Sequence, residues 1–224
     1  MTTSAPRAPS SSHVPSAERT RRRAANVATT ERVLAAAELE FATRGFDGAR
    51  LSDIAGRVGL GRSSILHYFE TKQALYSMVV RTAFLRLGEA VLLALDGQDP
   101  VEVRMARAVE AFEAFLDARP TLAKLVLREI LDEDGMRRLD VLEAGEALLT
   151  HVEQSLRARG GTFRAGAPVR ATLLQLASNA VLRASAHPRL RTGLWGGAED
   201  SAELVATLLL SRGGGAVGLR VAVS

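Results

Sequence analysis

With 224 residues and 47% apolar composition, the chain can bury a substantial core as one large domain or two modest ones. It contains no cysteine, which removes disulfides, thiolate metal sites and sulfur nucleophiles and suits a reducing compartment. No run of about 18 apolar residues occurs and the first residues lack an apolar leader, so no membrane span or secretory signal is expected and the protein reads as cytoplasmic. The formal charge of +4 is carried by residues 1–30, where Arg7, Arg19, Arg21, Arg22 and Arg23 face only Glu18, while the rest of the chain is balanced.

Residues 1–20 are mostly Ser, Pro, Ala and Thr, with almost no large apolar side chain, and read as a disordered tail. A basic tail of this kind is either simply solvated or poised to displace counterions from a polyanion, with Arg21 to Arg23 able to follow a minor groove as an arm. From Arg21 onward helix formers dominate, and no alternating strand pattern appears. Breakers at Gly45, Gly48, Gly59 and Gly61 cut the early part into short pieces, and later gaps fall at 97–100, 119–120, 132–135, 160–168 and 187–197. The expected helices are 22–44, 51–58, 62–69, 71–95, 100–118, 120–131, 136–159, 168–186 and 199–212, with 213–224 a frayed end.

In the first helix Val33, Leu34, Ala37 and Phe41 make one inward stripe, which Gly45 ends. Ile54, Ala55 and Val58 are the inward residues of the next helix, followed by the turn Gly59-Leu60-Gly61 and a second short helix. Two short helices joined by a glycine-containing turn form a helix-turn-helix. In "GRSSILHYF", residues 61–69, Ile65 and Phe69 share one face, Ser63 and His67 point the opposite way, and Ser64 and Leu66 flank them. The outward face is thus small and polar. A groove about 12 Å wide admits such a helix, whose hydroxyls and Arg62 then meet phosphates and base edges.

The stretch "ERVLAAAELEFATRGFDGARLSDIAGRVGLGRSSILHYFETKQALY", residues 31–76, resembles the DNA-binding domain of the tetracycline-repressor (TetR) family of bacterial regulators. The likeness rests on Gly45-Phe46, Ile54-Ala55, Val58-Gly59, Tyr68-Phe69, and Lys72 with Leu75. It implies a homodimer on a pseudo-palindromic operator, usually a repressor released by a small ligand, with a helical, sequence-variable C-terminal domain. Carried over, Arg62, Ser63 and Ser64 reach bases or phosphates, Tyr68 contacts a phosphate, and Lys72 contacts the DNA backbone. Tyr68 as a core aromatic and His67 as merely exposed remain the structural alternatives.

Two departures from the family pattern bear on the operator sequence. Leu66 in "SILHYF" replaces the family's tyrosine in "TLYHYF", which exchanges a phenolic contact for one to a thymine methyl. The threonine that opens the family's preceding helix is absent from Ala49-Arg50-Leu51-Ser52. Arg50 can replace its phosphate contact by charge, and the helix cap is weaker or moves elsewhere. Arg50 and Ser52 complete the candidate DNA-binding set.

Beyond residue 70 no catalytic constellation appears: the four histidines are dispersed, and no nucleophile elbow or phosphate loop occurs, so no enzyme activity, metal or cofactor is expected. The acidic run Asp132-Glu133-Asp134 reads as a solvated turn. Leu173, Leu176, Ala177, Ala180, Val181 and Ala184 form an apolar stripe, as do Ala202, Val205, Leu208 and Leu209. Together they suit either a four-helix dimer interface or burial within one subunit. Phe112, Phe115 and Leu125, with Arg128, Glu129, His151, Gln175 or Asn179 as polar contacts, are candidates for a mostly aliphatic ligand cavity.

The expected fold is all-α: a tail at 1–20, a three-helix helix-turn-helix DNA-binding domain at 21–70 with its motif near 50–69, and a helical ligand-binding and dimerisation domain at 71–212. The expected function is a ligand-responsive DNA-binding transcription regulator without a membrane partner. The competing reading is a helical protein-interaction module that does not read DNA sequence.

Overall fold

The computed structural model describes residues 16–131, 135–158 and 168–195, and every regular element in them is an α-helix. The order is α1 (Ser16–Gly48), α2 (Leu51–Val58), α3 (Arg62–Tyr68), α4 (Lys72–Leu95), α5 (Val101–Asp117), α6 (Pro120–Leu131), α7 (Gly135–Ala158), α8 (Val169–Ser185) and α9 (Pro188–Trp195). Helices α1 to α3 form a three-helix unit, and α4 runs from it along α5 and α7.

The long α1 is bent where the sequence ends it. Gly45 sits at φ 73°, ψ 176°, outside the α region, and one more turn follows, closed by Ala49 N–H donating to the Gly45 carbonyl at 3.2 Å. A side chain there is strained by the backbone and would meet Arg128, whose Nη1 lies 3.1 Å from an ideal Cβ. At its other end α1 begins at Ser16, not near residue 22, so residues 16–20 are helical and not tail. Glu18 in the first turn suits the helix dipole. Residues 1–15 lie outside the described residues.

Helix α2 buries Leu51, Ile54, Ala55 and Val58. It ends in a Schellman turn: Gly59, at φ 70°, donates to the Gly56 carbonyl, and Leu60 donates to that of Ala55 at 2.9 Å. Thr71 caps α4 by accepting from the Ala74 amide at 3.0 Å.

Three apolar clusters fill the interior. One holds Val33, Ala37, Phe41, Ile54, Ile65, Phe69, Leu75 and Tyr76, and is joined by Leu125 of α6 and by the edges of Val141 and Ala144 from α7. The second lies among α4, α5, α7 and α8 around Leu87, Val91, Met105 and Leu156. The third seats Ala180 and Ala184 of α8 against Leu116, Leu122, Ala123 and Val126.

That third cluster corrects the expected dimer stripe. Ala180 and Ala184 are buried, Val181 packs on the same cluster, Leu173 and Leu176 pack on the second, and Ala177 lines a cavity. Their small side chains admit a close helix, but that helix is the subunit's own α6. The outward residues of α8 are instead Ala171, Leu174, Ser178 and Leu182.

A second correction is α9, which occupies the span 187–197 read as a break. Pro188 stands in the first turn, where its missing N–H costs nothing. The His187 ring accepts from the Arg189 amide at 3.3 Å, and Trp195 Nε1 ties the far end to Asn179 Oδ1 of α8 at 2.8 Å. The expected helix 199–212, with Ala202, Val205, Leu208 and Leu209, the frayed end 213–224 and the run Asp132-Glu133-Asp134 lie outside the described residues.

Candidate nucleic-acid interface

Helix α3 is seven residues long and Ile65 is its one fully buried side chain, seconded by Phe69 just past its end. Arg62, Ser63, His67 and Tyr68 are exposed, and Ser64 and Leu66 are half-buried at its flanks. At the start of α2, Arg50 and Ser52 are exposed as well. The outward face therefore carries a hydroxyl and an imidazole, with the Arg62 guanidinium at its leading turn and the Tyr68 phenol at its end.

The caps match the departures noted in the sequence. Arg50 at the N-cap of α2 makes no side-chain cap hydrogen bond, since a guanidinium has no acceptor to offer the first amides of the helix. Tyr68 is not a core residue. Its ring stands edge-on to His67 at 6.0 Å, and its hydroxyl donates to Asn26 Oδ1 of α1 at 3.5 Å. The buried tyrosine is Tyr76, packed edge-to-face on Phe41 and Phe46.

A set of charged side chains that sequence reading passed over holds the unit together. Glu40 is fully buried on α1 and pairs with Arg44 at 3.0 Å and with Arg57 of α2 at 3.2 Å. Arg44 also pairs with Asp53 at 2.5 Å. Arg32 Nη2 donates to the Val58 carbonyl at 2.8 Å, placing a cation at the C-terminus of α2. Of these contacts only Glu40–Arg44 has the i,i+4 spacing that a sequence shows; the others join residues 9, 17 and 26 positions apart and carry no local signal.

Lys72 has an internal role beside the one the resemblance implies. Its Nζ donates to the carbonyls of Phe46 at 2.8 Å and Ala49 at 3.2 Å, and lies 4.5 Å from the centre of the Phe46 ring. It closes the α1–α2 connection from within. Lys72→Met should therefore lower stability by about 2 kcal/mol in the absence of any DNA, the scale of charge-assisted hydrogen bonds to half-buried carbonyls. Urea unfolding of the free protein checks this, since a side chain that served only an external phosphate would leave the midpoint unchanged.

The candidate ligand residues are dispersed. Among α4, α5, α7 and α8 lies an apolar cavity of about 80 Å³, lined by Val91, Leu95, Met105, Ala108, Phe112 and Leu176 among others. Phe112 is the one candidate that reaches it. Phe115 packs between two clusters under Arg119, and Leu125 belongs to the core beneath α3. Arg128 lies against Gly45 and the Thr43 carbonyl, while Glu129 accepts a hydrogen bond from the Tyr76 hydroxyl. His151 borders an outer groove between α4 and α7, Gln175 is exposed, and Asn179 holds Trp195. The missed signal was the stripe Met105, Ala108, Val109 and Phe112 on α5, which a search for polar contacts passes over.

Among the described residues no group of three or more His, Asp or Glu side chains is placed to hold a metal ion, and no helix is long and apolar enough to cross a membrane.

Residues 33–79 match the family model described as bacterial regulatory proteins, tetR family. Over 104 residues the chain is 34% identical to an uncharacterized HTH-type transcriptional regulator, YdgC, of Bacillus subtilis (strain 168). That match takes in 44% of this chain and 53% of the relative, so the chain spans about half the length of the curated relative it matches. A TetR family transcription regulator from Marinobacter aquaeolei VT8 shares the fold with a TM-score of 0.65 at 17% identity, over 85% of this chain and all of that one. The fatty acid degradation regulator FadR from Bacillus halodurans does so with a TM-score of 0.63 at 18% identity, over 80% of this chain and 94% of that one.

Proposed function

Because the chain belongs to the TetR family of bacterial regulatory proteins, we propose that it is a sequence-specific DNA-binding transcription regulator acting as a homodimer. The observation that carries this reading is α3 itself, anchored by Ile65 and presenting Arg62, Ser63, His67 and Tyr68 to the outside. Each protomer lays one α3 in a major groove, with Arg50 and Ser52 of α2 on the flanking phosphates. Symmetry doubles a contact that one seven-residue helix makes over only a few base pairs.

The dimer forms through the outer face of α8, where the half-exposed Leu174 and Leu182 line one groove with the exposed Ile130 of α6. A ligand enters the cavity beside Phe112. With lining side chains almost all aliphatic or aromatic, that ligand is apolar, and the cavity widens to take it. Helix α4 transmits the change, since it begins at Thr71 beside α3 and lines the cavity with Val91 and Leu95. The ligand releases DNA to the extent that it favours a protomer spacing that no longer fits grooves about 34 Å apart. Repression is the outcome this arrangement serves.

Selection of bound duplexes from a random pool tests the reading. Wild-type protein should enrich a palindrome with half-site centres about one helical turn apart. Ser63→Ala/Ser64→Ala/His67→Ala should cut the preference for that palindrome over scrambled duplex by about tenfold or more, given about 1–3 kcal/mol of discrimination per good base contact. Enrichment of no consensus by the wild type overturns the proposal.

A further inference from the structure

Helix α1 starts long before it has anything to pack against. Its first core side chain is Val33, and the 17 residues ahead of it span about 25 Å at 1.5 Å per residue. Residues 18–28 are all exposed, including Val27 at 56%. Helices of globular proteins draw most of their stability from a buried face, and this stretch has none. What it has is charge: Arg19, Arg21, Arg22 and Arg23 against Glu18 as the one carboxylate among residues 16–30.

The arginines are not spread evenly around the axis. At 100° per residue, Arg19 and Arg22 fall within about 40° of Asn26 and Arg23 about 60° from it, whereas Arg21 points about 140° away. Asn26 is the residue that the hydroxyl of Tyr68, at the end of α3, reaches at 3.5 Å. Three of the four guanidiniums therefore share the face of α1 that continues from the recognition helix.

We propose that the N-terminal half of α1 is a second DNA-contacting element, a basic rod that extends the α3 interface onto phosphates flanking each half-site. This rests on the DNA-binding reading given above. The occupant follows from charge complementarity and from continuity with α3. A helix 10–12 Å across does not enter a minor groove about 6 Å wide, so the rod tracks the backbone and is not the groove-following arm that the bare run Arg21 to Arg23 suggests. From Asn26 to Arg19 the axis advances about 10 Å, close to the rise of three base pairs. Arg19, Arg22 and Arg23 match that reach with up to three phosphates per protomer, and the contact carries affinity without sequence information.

The test uses the full chain and the palindrome selected by the wild type, with at least ten flanking base pairs on each side. Affinity is measured across 50–300 mM salt for wild type, Arg19→Ala/Arg22→Ala/Arg23→Ala, Arg22→Ala and Arg21→Ala. With about 0.9 of slope per neutralised phosphate, the triple variant should flatten log K against log[salt] by about 4–5 for a dimer. It should weaken binding to palindrome and scrambled duplex by the same factor, roughly 10–100-fold at 150 mM, and leave the selected consensus unchanged. Arg21→Ala should change the slope by less than about 1. A triple variant whose slope stays within about 1 of wild type, or an Arg21→Ala effect as large as that of Arg22→Ala alone, overturns the rod. A wild type that selects a palindrome but shows no such effect sinks the rod alone, whereas a wild type that binds no duplex sinks the DNA-binding reading with it.

Discussion

Phe41→Ala is expected to lower the free energy of unfolding by about 3–5 kcal/mol, a large part of the 5–15 kcal/mol typical of folded proteins. Phe41 is 1% exposed at the centre of the cluster beneath α3, edge-to-face with Tyr76 at 5.0 Å and stacked on Phe46 at 5.9 Å. The cost depends on whether the surroundings can close the gap. Here they are held apart by polar ties across the cluster. Arg119 at 2.5 Å and Thr121 at 2.6 Å bind Glu38 of α1, and Glu129 binds Tyr76 of α4, so α6 is fixed to both flanking helices. Urea unfolding of Phe41→Ala and Phe41→Leu checks the estimate. The leucine variant should lose distinctly less, and a loss below about 1 kcal/mol for alanine would mean that the three helices do collapse onto the gap.

Ile65→Ala should be felt mainly at DNA. The substitution removes about 2–5 kcal/mol of packing from a fully buried site. Because α3 has no other fully buried side chain, the loss falls on its docking more than on the rest of the molecule. Specific affinity should drop by about 30-fold to a few thousand-fold, the same energy expressed as a binding constant. Amide exchange should report lost protection at residues 62–69 with α4 to α8 unchanged. If protection is lost in every helix together, α3 is part of one cooperative unit and the affinity loss is global unfolding.

The helix-turn-helix was legible because its signals are local. Inward residues recur at helical spacing in α2, a glycine supplies the left-handed turn, and a short polar helix follows. What was not legible depends on partners distant in sequence. Periodicity shows that α8 has an inward stripe through Leu173, Ala180 and Ala184, but a helix of the same subunit and a helix of a second copy impose the same pattern, and it is the subunit's own helices that cover it, α6 at Ala180 and Ala184 and the second cluster at Leu173. Polar residues on helices likewise gave no hint of their targets: Glu129 is 53 residues from Tyr76, and Asn179 is 16 from Trp195. Pro188 was read as a stop where it is a start, because proline breaks a helix in its interior and suits it in the first turn. At the N-terminus the Ser and Pro content suggested no order, while the helix formers from Ser16 onward are sufficient to begin α1.

The cluster under the recognition helix is closed by residues from the other end of the chain, Leu125 of α6 and the flanks of Val141 and Ala144 on α7. Exchange of helix-turn-helix units between chains of this fold is therefore constrained at the seam. A chimaera that joins residues 16–70 of this protein to a foreign body would leave Leu75, Tyr76 and Leu125 behind, exposing Phe41 and part of the floor beneath Ile65. A graft that keeps α3 seated must carry the seam as well: α4 through Val80 and the α6 face bearing Leu125 and Glu129, with a counterpart for Glu38 at the α5–α6 turn.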